Sequence, residues 1–103
     1  MTVLETLKAA REQIVTEDRW CQNALAIDKD GFQISPRADK ACRWCIIGAI
    51  EAVQENMDIT CKTIAFLDKR LGCDVEHFND SPLTTYQDVI GFLDGVIADL
   101  SKV

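Results

Sequence analysis

Residues 37–55, RADKACRWCIIGAIEAVQE, decide the fold that we predict, because they are apolar around most of a helical wheel. Small apolar residues recur at helical spacing on one arc, and Cys45, Ala49 and Ala52 belong to it. The polar positions form only a narrow strip, through Lys40, Arg43, Glu51 and Gln54. A helix this apolar usually lies at the centre of a domain. We therefore expect a central helix over residues 37–55.

Two amphipathic helices are predicted towards the ends of the chain. Thr2 and Glu5 have the spacing of a capping box, and an apolar stripe follows, which indicates a helix over residues 3–16. Thr84 or Thr85 caps the last helix, and Thr84 with Gln87 fits a second capping box. The apolar arc of that last helix consists of Val89, Phe92, Leu93, Val96, Ile97 and Leu100.

A shorter helix and a hairpin complete the predicted fold. Thr60 as N-cap and Gly72 as C-terminal residue bound a helix over about residues 61–71. Period-two apolar residues on both sides of Asp30-Gly31 predict a β-hairpin over residues 25–34, lying on the helices. We expect a single domain over residues 1–103. It is mainly α, a compact bundle of about four helices around the central apolar helix, with a small β-hairpin packed on the outside.

The charge of the chain restricts its partners. Eleven Lys and Arg against seventeen Asp and Glu give a net charge of −6, which argues against nucleic-acid binding. Between Leu71 and Ser101 there are six acids and no Lys or Arg. This run is either a solvated face or a surface that docks on a basic protein patch. The candidate acidic surface consists of Asp74, Glu76, Asp88 and Asp99. Apolar runs also fall short of the roughly 18 residues typical of a membrane span.

Five cysteines are present: Cys21, Cys42, Cys45, Cys61 and Cys73. The first residues lack the basic and apolar regions of a secretory leader, so we expect a cytoplasmic protein. An odd number of cysteines in such a chain predicts reduced, mostly buried thiols. Cys42 and Cys45 have C-x-x-C spacing, but both fall inside the predicted central helix. Core packing is therefore favoured over a redox pair or a zinc site completed by Cys61, Cys73 or His77. We expect no metal and no cofactor.

The loop between the third and last predicted helices contains the most distinctive polar stretch, His77-Phe78-Asn79-Asp80. Asn and Asp side chains often bond to their own backbone, so this stretch either builds a turn or forms a recognition loop. A thiol-dependent enzyme or metal-site protein that uses Cys45 and His77 is the alternative function. Nothing in the spacing selects such a pair, and no site motif of another enzyme class is present.

One set of motifs spans most of the chain: Trp20, Ala26-x-Asp28-x-x-Gly31, Ala41-x-x-Trp44-Cys45-x-x-Gly48-Ala49, Phe78-Asn79-Asp80, and Thr84/Thr85 before Val89-x-x-x-Leu93. This set resembles a family of short bacterial and phage proteins of unknown function. The resemblance implies a domain identity and a mobile-element setting, and no activity. That family usually has a plain apolar residue in place of Cys42 and Trp in place of Phe78, which counts against a dithiol and against a role for an indole N–H there.

These observations favour a small non-enzymatic, acidic protein-interaction module in the cytoplasm, of accessory or phage-derived origin. Its expected partner is a protein, with no direct contact to nucleic acid or membrane. Gly91 and Gly95 lie opposite the apolar arc of the last helix. Glycine is costly inside a helix, so close approach of a second subunit at the Gly91/Gly95 face is one explanation of these two residues.

Overall fold

The structure, a computed structural model, describes residues 1–102. Within that range the chain is mainly α, as predicted, with a small two-stranded antiparallel sheet. The elements are α1 (Val3–Gln13), a 3-10 turn (Glu17–Arg19), β1 (Ala26–Ile27), β2 (Arg43–Trp44), α2 (Ile46–Val53), α3 (Met57–Leu71), α4 (Val75–Asp80) and α5 (Tyr86–Leu100).

The first and last helices begin at capping boxes and pack on each other. Thr2 and Glu5 form the predicted box at α1. The box at α5 uses Thr85 with Asp88, so the predicted pairing of Thr84 with Gln87 is wrong. The Tyr86 hydroxyl at the start of α5 donates to the Ile14 carbonyl, 2.7 Å away, just beyond α1. This contact fixes the position of α5 against α1.

The central helix is shorter than predicted. α2 contacts α1, α3 and α4, and Ile46, Ala49 and Ile50 are buried in the core, which confirms its central position. Residues 37–45 are not helical, because β2 pairs with β1 in the register Ala26–Trp44 and Ile27–Arg43. These long-range backbone hydrogen bonds replace the local bonds of the helix that the apolar pattern predicts.

Arg37, predicted to lie inside that helix, instead binds the other end of α2. Its guanidinium donates to the Glu51 carbonyl, at 2.9 Å, and to the Gln54 carbonyl. A cation at a helix C-terminus satisfies free carbonyls and interacts favourably with the helix dipole. The loop before β2 is therefore attached to both ends of α2.

The predicted hairpin over residues 25–34 is present as a tight turn with a short antiparallel pairing, in which Asp28 N donates to the Phe32 carbonyl and Ile34 N to the Ala26 carbonyl. The Asp28 carboxylate accepts from the backbone N–H groups of Asp30 and Phe32, and Gly31 adopts φ +86°. Beyond the turn a single bridge joins Ile27 to Gln33. The partner of β1 in the two-stranded sheet is β2.

The second half of the chain has one more helix than predicted. α3 begins four residues early, with Asn56 as its N-cap, and ends at Gly72 as predicted, in the left-handed conformation. α4 replaces part of the predicted loop over residues 73–83. The Asp68 carboxylate of α3 accepts from Val75 N at 2.7 Å, which fixes the start of α4.

The core lies between α1, α2, α3 and α5, with α4 covering one end. Its largest fully buried apolar side chains are Leu7, Ile14, Ile46, Ile50, Leu67, Val75, Val89, Leu93 and Val96. Among residues 1–102, no helix has both the length and the apolar character needed to cross a membrane.

Candidate functional site

The motif Trp44-Cys45-x-x-Gly48-Ala49 forms the junction between β2 and α2. The prediction that Cys45 lies inside a helix is wrong. Cys45 is instead the N-cap of α2, with φ −79° and ψ 177°. Its Sγ accepts from the backbone N–H of Gly48 at 3.2 Å. A sulfur atom therefore satisfies one of the free N–H groups at the start of the helix.

Gly48 allows the chain before β1 to cross the first turn of α2. A Cβ at Gly48 would lie 1.8 Å from the carbonyl oxygen of Leu25, far inside van der Waals contact. That same oxygen accepts from Cys45 N at 3.2 Å. The glycine is thus required by a close backbone approach, and the motif is explained by geometry at this junction.

Asn79 joins three separated segments of the chain. Its Oδ1 accepts from the indole Nε1 of Trp20 at 2.8 Å and from Ile46 N at 3.1 Å. Its Nδ2 donates to the Cys21 carbonyl at 3.1 Å and to the Asp80 carboxylate at 2.9 Å. Asn79 is only 1% exposed, so all of its hydrogen-bonding capacity is used inside the protein.

Two further side chains hold the same segments together. The Asp80 carboxylate accepts from the backbone N–H of Asn23 at 2.9 Å, where Asn23 adopts φ +66°. The Gln22 amide donates to the carbonyls of Asn79 and Ser81, each at 2.9 Å. We call Trp20, Gln22, Asn79 and Asp80, with the backbone they bind, the Asn79 cluster.

The predicted recognition loop is divided between surface and interior. His77 is exposed, whereas Phe78 is half-buried and its ring meets Phe92 edge-on, with the centroids 5.4 Å apart. Asn79 and Asp80 belong to the Asn79 cluster. Asn79 and Asp80 therefore hold separate segments of the chain together, which is the structural alternative to a recognition loop. They lie at the end of α4 rather than in a turn.

The buried thiols are poorly suited to nucleophilic catalysis. Burial raises the pKa of Cys45 to about 11 and that of Cys21 to about 12. A small depression of about 210 Å³ reaches Cys45, and its acidic lining residues are Glu76 and Asp80. His77 is not part of this lining. The structure thus does not bring Cys45 and His77 together in one cavity.

The remaining thiols differ from the prediction that most would be buried. Cys42 is half-buried, while Cys61 and Cys73 are exposed. All five are free. Within residues 1–102, no group of three His, Cys, Asp or Glu side chains is arranged to hold a metal ion.

The candidate acidic surface is not one face of unpaired charges. Asp88 accepts from Thr85 N in the capping box, and Asp99 pairs with Arg70 and Lys102. The hydrogen bond from Arg70 lowers the pKa of Asp99. Asp74 and Glu76 are exposed at the start of α4.

A groove that sequence reasoning missed measures about 650 Å³. Trp20 and Tyr86 both line it, with ring centroids 6.1 Å apart. Its other lining residues are Glu17, Cys21, Gln22, Asn23, Arg43 and Thr85. No local motif identifies this groove, because its walls come from three distant segments.

The groove continues into other surface features. Gln22, on its wall, also binds the Ser81 carbonyl, so the loop between α4 and α5 borders the groove. Leu83 in this loop is 89% exposed. Asn23 lines both the groove and the depression beside Cys45, Glu76 and Asp80, so the two share this residue.

Gly91 and Gly95 lie on the exposed side of α5. A Cβ at either position would meet no atom within 4 Å, so no other element of the described chain covers this face.

The fold and the cluster define a small α-helical domain whose motif residues mainly hold its own segments together. The chain belongs to the family of unknown function DUF6197, whose family model matches residues 1–99. No curated protein and no solved structure matches it.

Proposed function

We propose that this protein is a non-enzymatic, acidic protein-interaction module of the cytoplasm, with an accessory or phage-derived role. The observation that carries the proposal is the aromatic groove, which shares Asn23 with the acidic depression and borders the loop of the exposed Leu83 through the bond from Gln22 to Ser81. Most polar motif residues are already engaged internally, which favours this surface over the motif side chains as the contact with a partner.

The chemistry of the surface favours one kind of partner. Leu83 and the half-buried ring of Trp20 offer apolar contact, and aromatic residues in such pockets often dominate binding. Glu76 and Asp80 lie in the adjoining depression and favour a positive charge. The partner that fits is a protein segment with an apolar side chain next to a Lys or Arg.

A pull-down with matched variants tests this surface. Tagged protein is incubated with a lysate of the host cell, and bound proteins are identified by mass spectrometry. Leu83→Ser and Glu76→Lys are each expected to abolish recovery of the partner. Met57→Ser is the control, because Met57 is 73% exposed at the start of α3 and does not line the groove. Recovery that is unchanged in Leu83→Ser, or equally reduced in Met57→Ser, would place the contact elsewhere.

The thiol-dependent enzyme receives no support from the geometry of Cys45. A thiol with pKa about 11 holds only a minor thiolate fraction near neutral pH. We expect iodoacetamide to alkylate the exposed Cys61 and Cys73 rapidly in the native protein at neutral pH, and the buried Cys45 much more slowly. Rapid native alkylation of Cys45 would reopen the catalytic alternative.

We also propose that the protein forms a homodimer through the Gly91/Gly95 face. Because this face is open, two α5 helices can approach closely there. Sedimentation at micromolar concentration should show a dimer that Gly91→Leu disrupts. A wild-type monomer under these conditions would exclude it.

A further inference from the structure

Cys21 and Cys45 each follow one residue of a bridged pair. Trp20 and Trp44 form an isolated parallel β-bridge, and Cys21 N donates to the Trp44 carbonyl at 3.1 Å. Extending the register of this bridge by one residue places Cys21 opposite Cys45. Paired strands lie about 4.8 Å apart and paired side chains point to the same face. This separation falls inside the range of about 4.4–6.8 Å between the Cα atoms of disulfide-bonded cysteines.

The Asn79 amide independently holds the same two places together. It donates to the carbonyl of Cys21 and accepts from the N–H of Ile46, the residue after Cys45, each at 3.1 Å. One planar amide therefore spans the two segments beside the thiols. Their proximity does not depend on the β-bridge alone.

The pair suggested by C-x-x-C spacing, in contrast, is held apart. Cys42 and Cys45 flank β2, which consists of Arg43 and Trp44. At about 3.3 Å per residue of extended chain, their Cα atoms lie about 10 Å apart. A disulfide requires less than about 7 Å, so this pair cannot form one without unpairing β2 from β1.

We propose that Cys21 and Cys45 are an oxidation site at which hydrogen peroxide forms an intramolecular disulfide. One thiolate attacks a peroxide oxygen and the O–O bond breaks. The thiolate becomes a sulfenic acid, and hydroxide is the leaving group. The other thiolate attacks that sulfur, the S–S bond forms and a second hydroxide leaves. The two hydroxides take up the two thiol protons, so two thiols are oxidised by two electrons while one peroxide becomes two waters.

Each thiol is nearly buried but borders a surface depression through which a small oxidant can approach. Cys21 lines the groove, and Cys45 lines the adjoining depression. Because burial raises the pKa of both thiols, the reaction is slow near neutral pH and accelerates as pH rises. The product ties the groove wall to the start of α2, and the closed loop raises Tm by about 10 °C or more.

Peptide mapping of the oxidised full-length protein tests the proposal. The reduced protein is treated with hydrogen peroxide at alkaline pH, blocked with N-ethylmaleimide in denaturant and digested with trypsin. Cleavage after Arg43 puts Cys42 and Cys45 on different peptides, but Cys45 and Cys61 share one. The Cys61→Ser, Cys73→Ser double variant therefore serves as the starting protein and also prevents links through the exposed thiols.

The expected result is that the protein loses two hydrogens in mass and that one linked peptide pair, joining Cys21 to Cys45, appears. Cys42→Ser should leave the link intact, and Cys45→Ser should abolish it, with serine able to replace the cap of α2. A link that includes Cys42 overturns the proposal. So does oxidation that leaves both Cys21 and Cys45 reactive towards N-ethylmaleimide.

Discussion

Gly48→Ala should destabilise the protein although alanine is the better helix former. The added Cβ would lie 1.8 Å from the Leu25 oxygen and 2.7 Å from its carbonyl carbon. Both are backbone atoms, so the crossing chain or α2 must move. Overpacking of this kind costs about 1–3 kcal/mol, and weakening of the Cys45 N–H bond to the same oxygen adds about 1 kcal/mol. The higher helix propensity of alanine offsets about 1 kcal/mol of this loss.

The net expectation is a loss of about 2 kcal/mol in the free energy of unfolding, or roughly 10 °C in Tm for a domain of this size. Urea unfolding followed by circular dichroism measures it. Gly91→Ala, measured on protein diluted until it is monomeric, is the matched control: it is also a helical glycine, yet its Cβ meets nothing within 4 Å, so alanine should stabilise by about 0.5–1 kcal/mol. Equal effects of the two substitutions would refute the close approach at Gly48.

Three other substitutions follow from single contacts. Asn79→Ala should cost about 3 kcal/mol in urea unfolding, because it leaves buried donors and acceptors unpaired; a cost below that of the α3 cap variant Asn56→Ala, about 1 kcal/mol, would contradict this. Arg37→Ala should cost about 1 kcal/mol by exposing the last carbonyls of α2, and an unchanged midpoint would argue against the cap. Asp99, whose pKa in the folded protein is lowered, contributes stability above its ordinary value of 3.8 that is lost as pH falls through the folded pKa. Asp99→Asn should thus flatten the fall of Tm in acid, and an unaltered pH profile would count against the pair with Arg70.

The helices at both ends could be predicted from the sequence because their signals are local. A capping box and a one-sided apolar stripe lie within a few residues of each other, as in Thr2 with Glu5 at α1. The prediction of a helix over all of residues 37–55 was wrong because the signals that decide this segment are not local. Its apolar pattern fits a helix, but Arg43 and Trp44 gain more by pairing with β1, which lies far away in the sequence.

The candidate site could be predicted only in part. Asn79 and Asp80 could be singled out from the sequence, because Asn and Asp beside a Pro-containing segment are typical of chain reversals. Their partners come from residues 20–23 and from the start of α2, and no local pattern connects these segments. The groove was missed for the same reason, since Trp20 and Tyr86 meet only in the folded chain.

The packing of α1 on α5 has a consequence for how the protein folds. The bond from Tyr86 to Ile14 joins residues 72 positions apart, and Arg11 pairs with Asp94 at 2.9 Å across the same interface. Contacts between distant residues slow folding, because a long loop must close before they form. On the ribosome, α1 can pack on α2 once α2 has emerged, but the side of α1 that faces α5 has no partner until α5 is synthesised. That part of α1 therefore remains exposed until late in synthesis, and folding should be slower than in helical bundles with mostly local contacts.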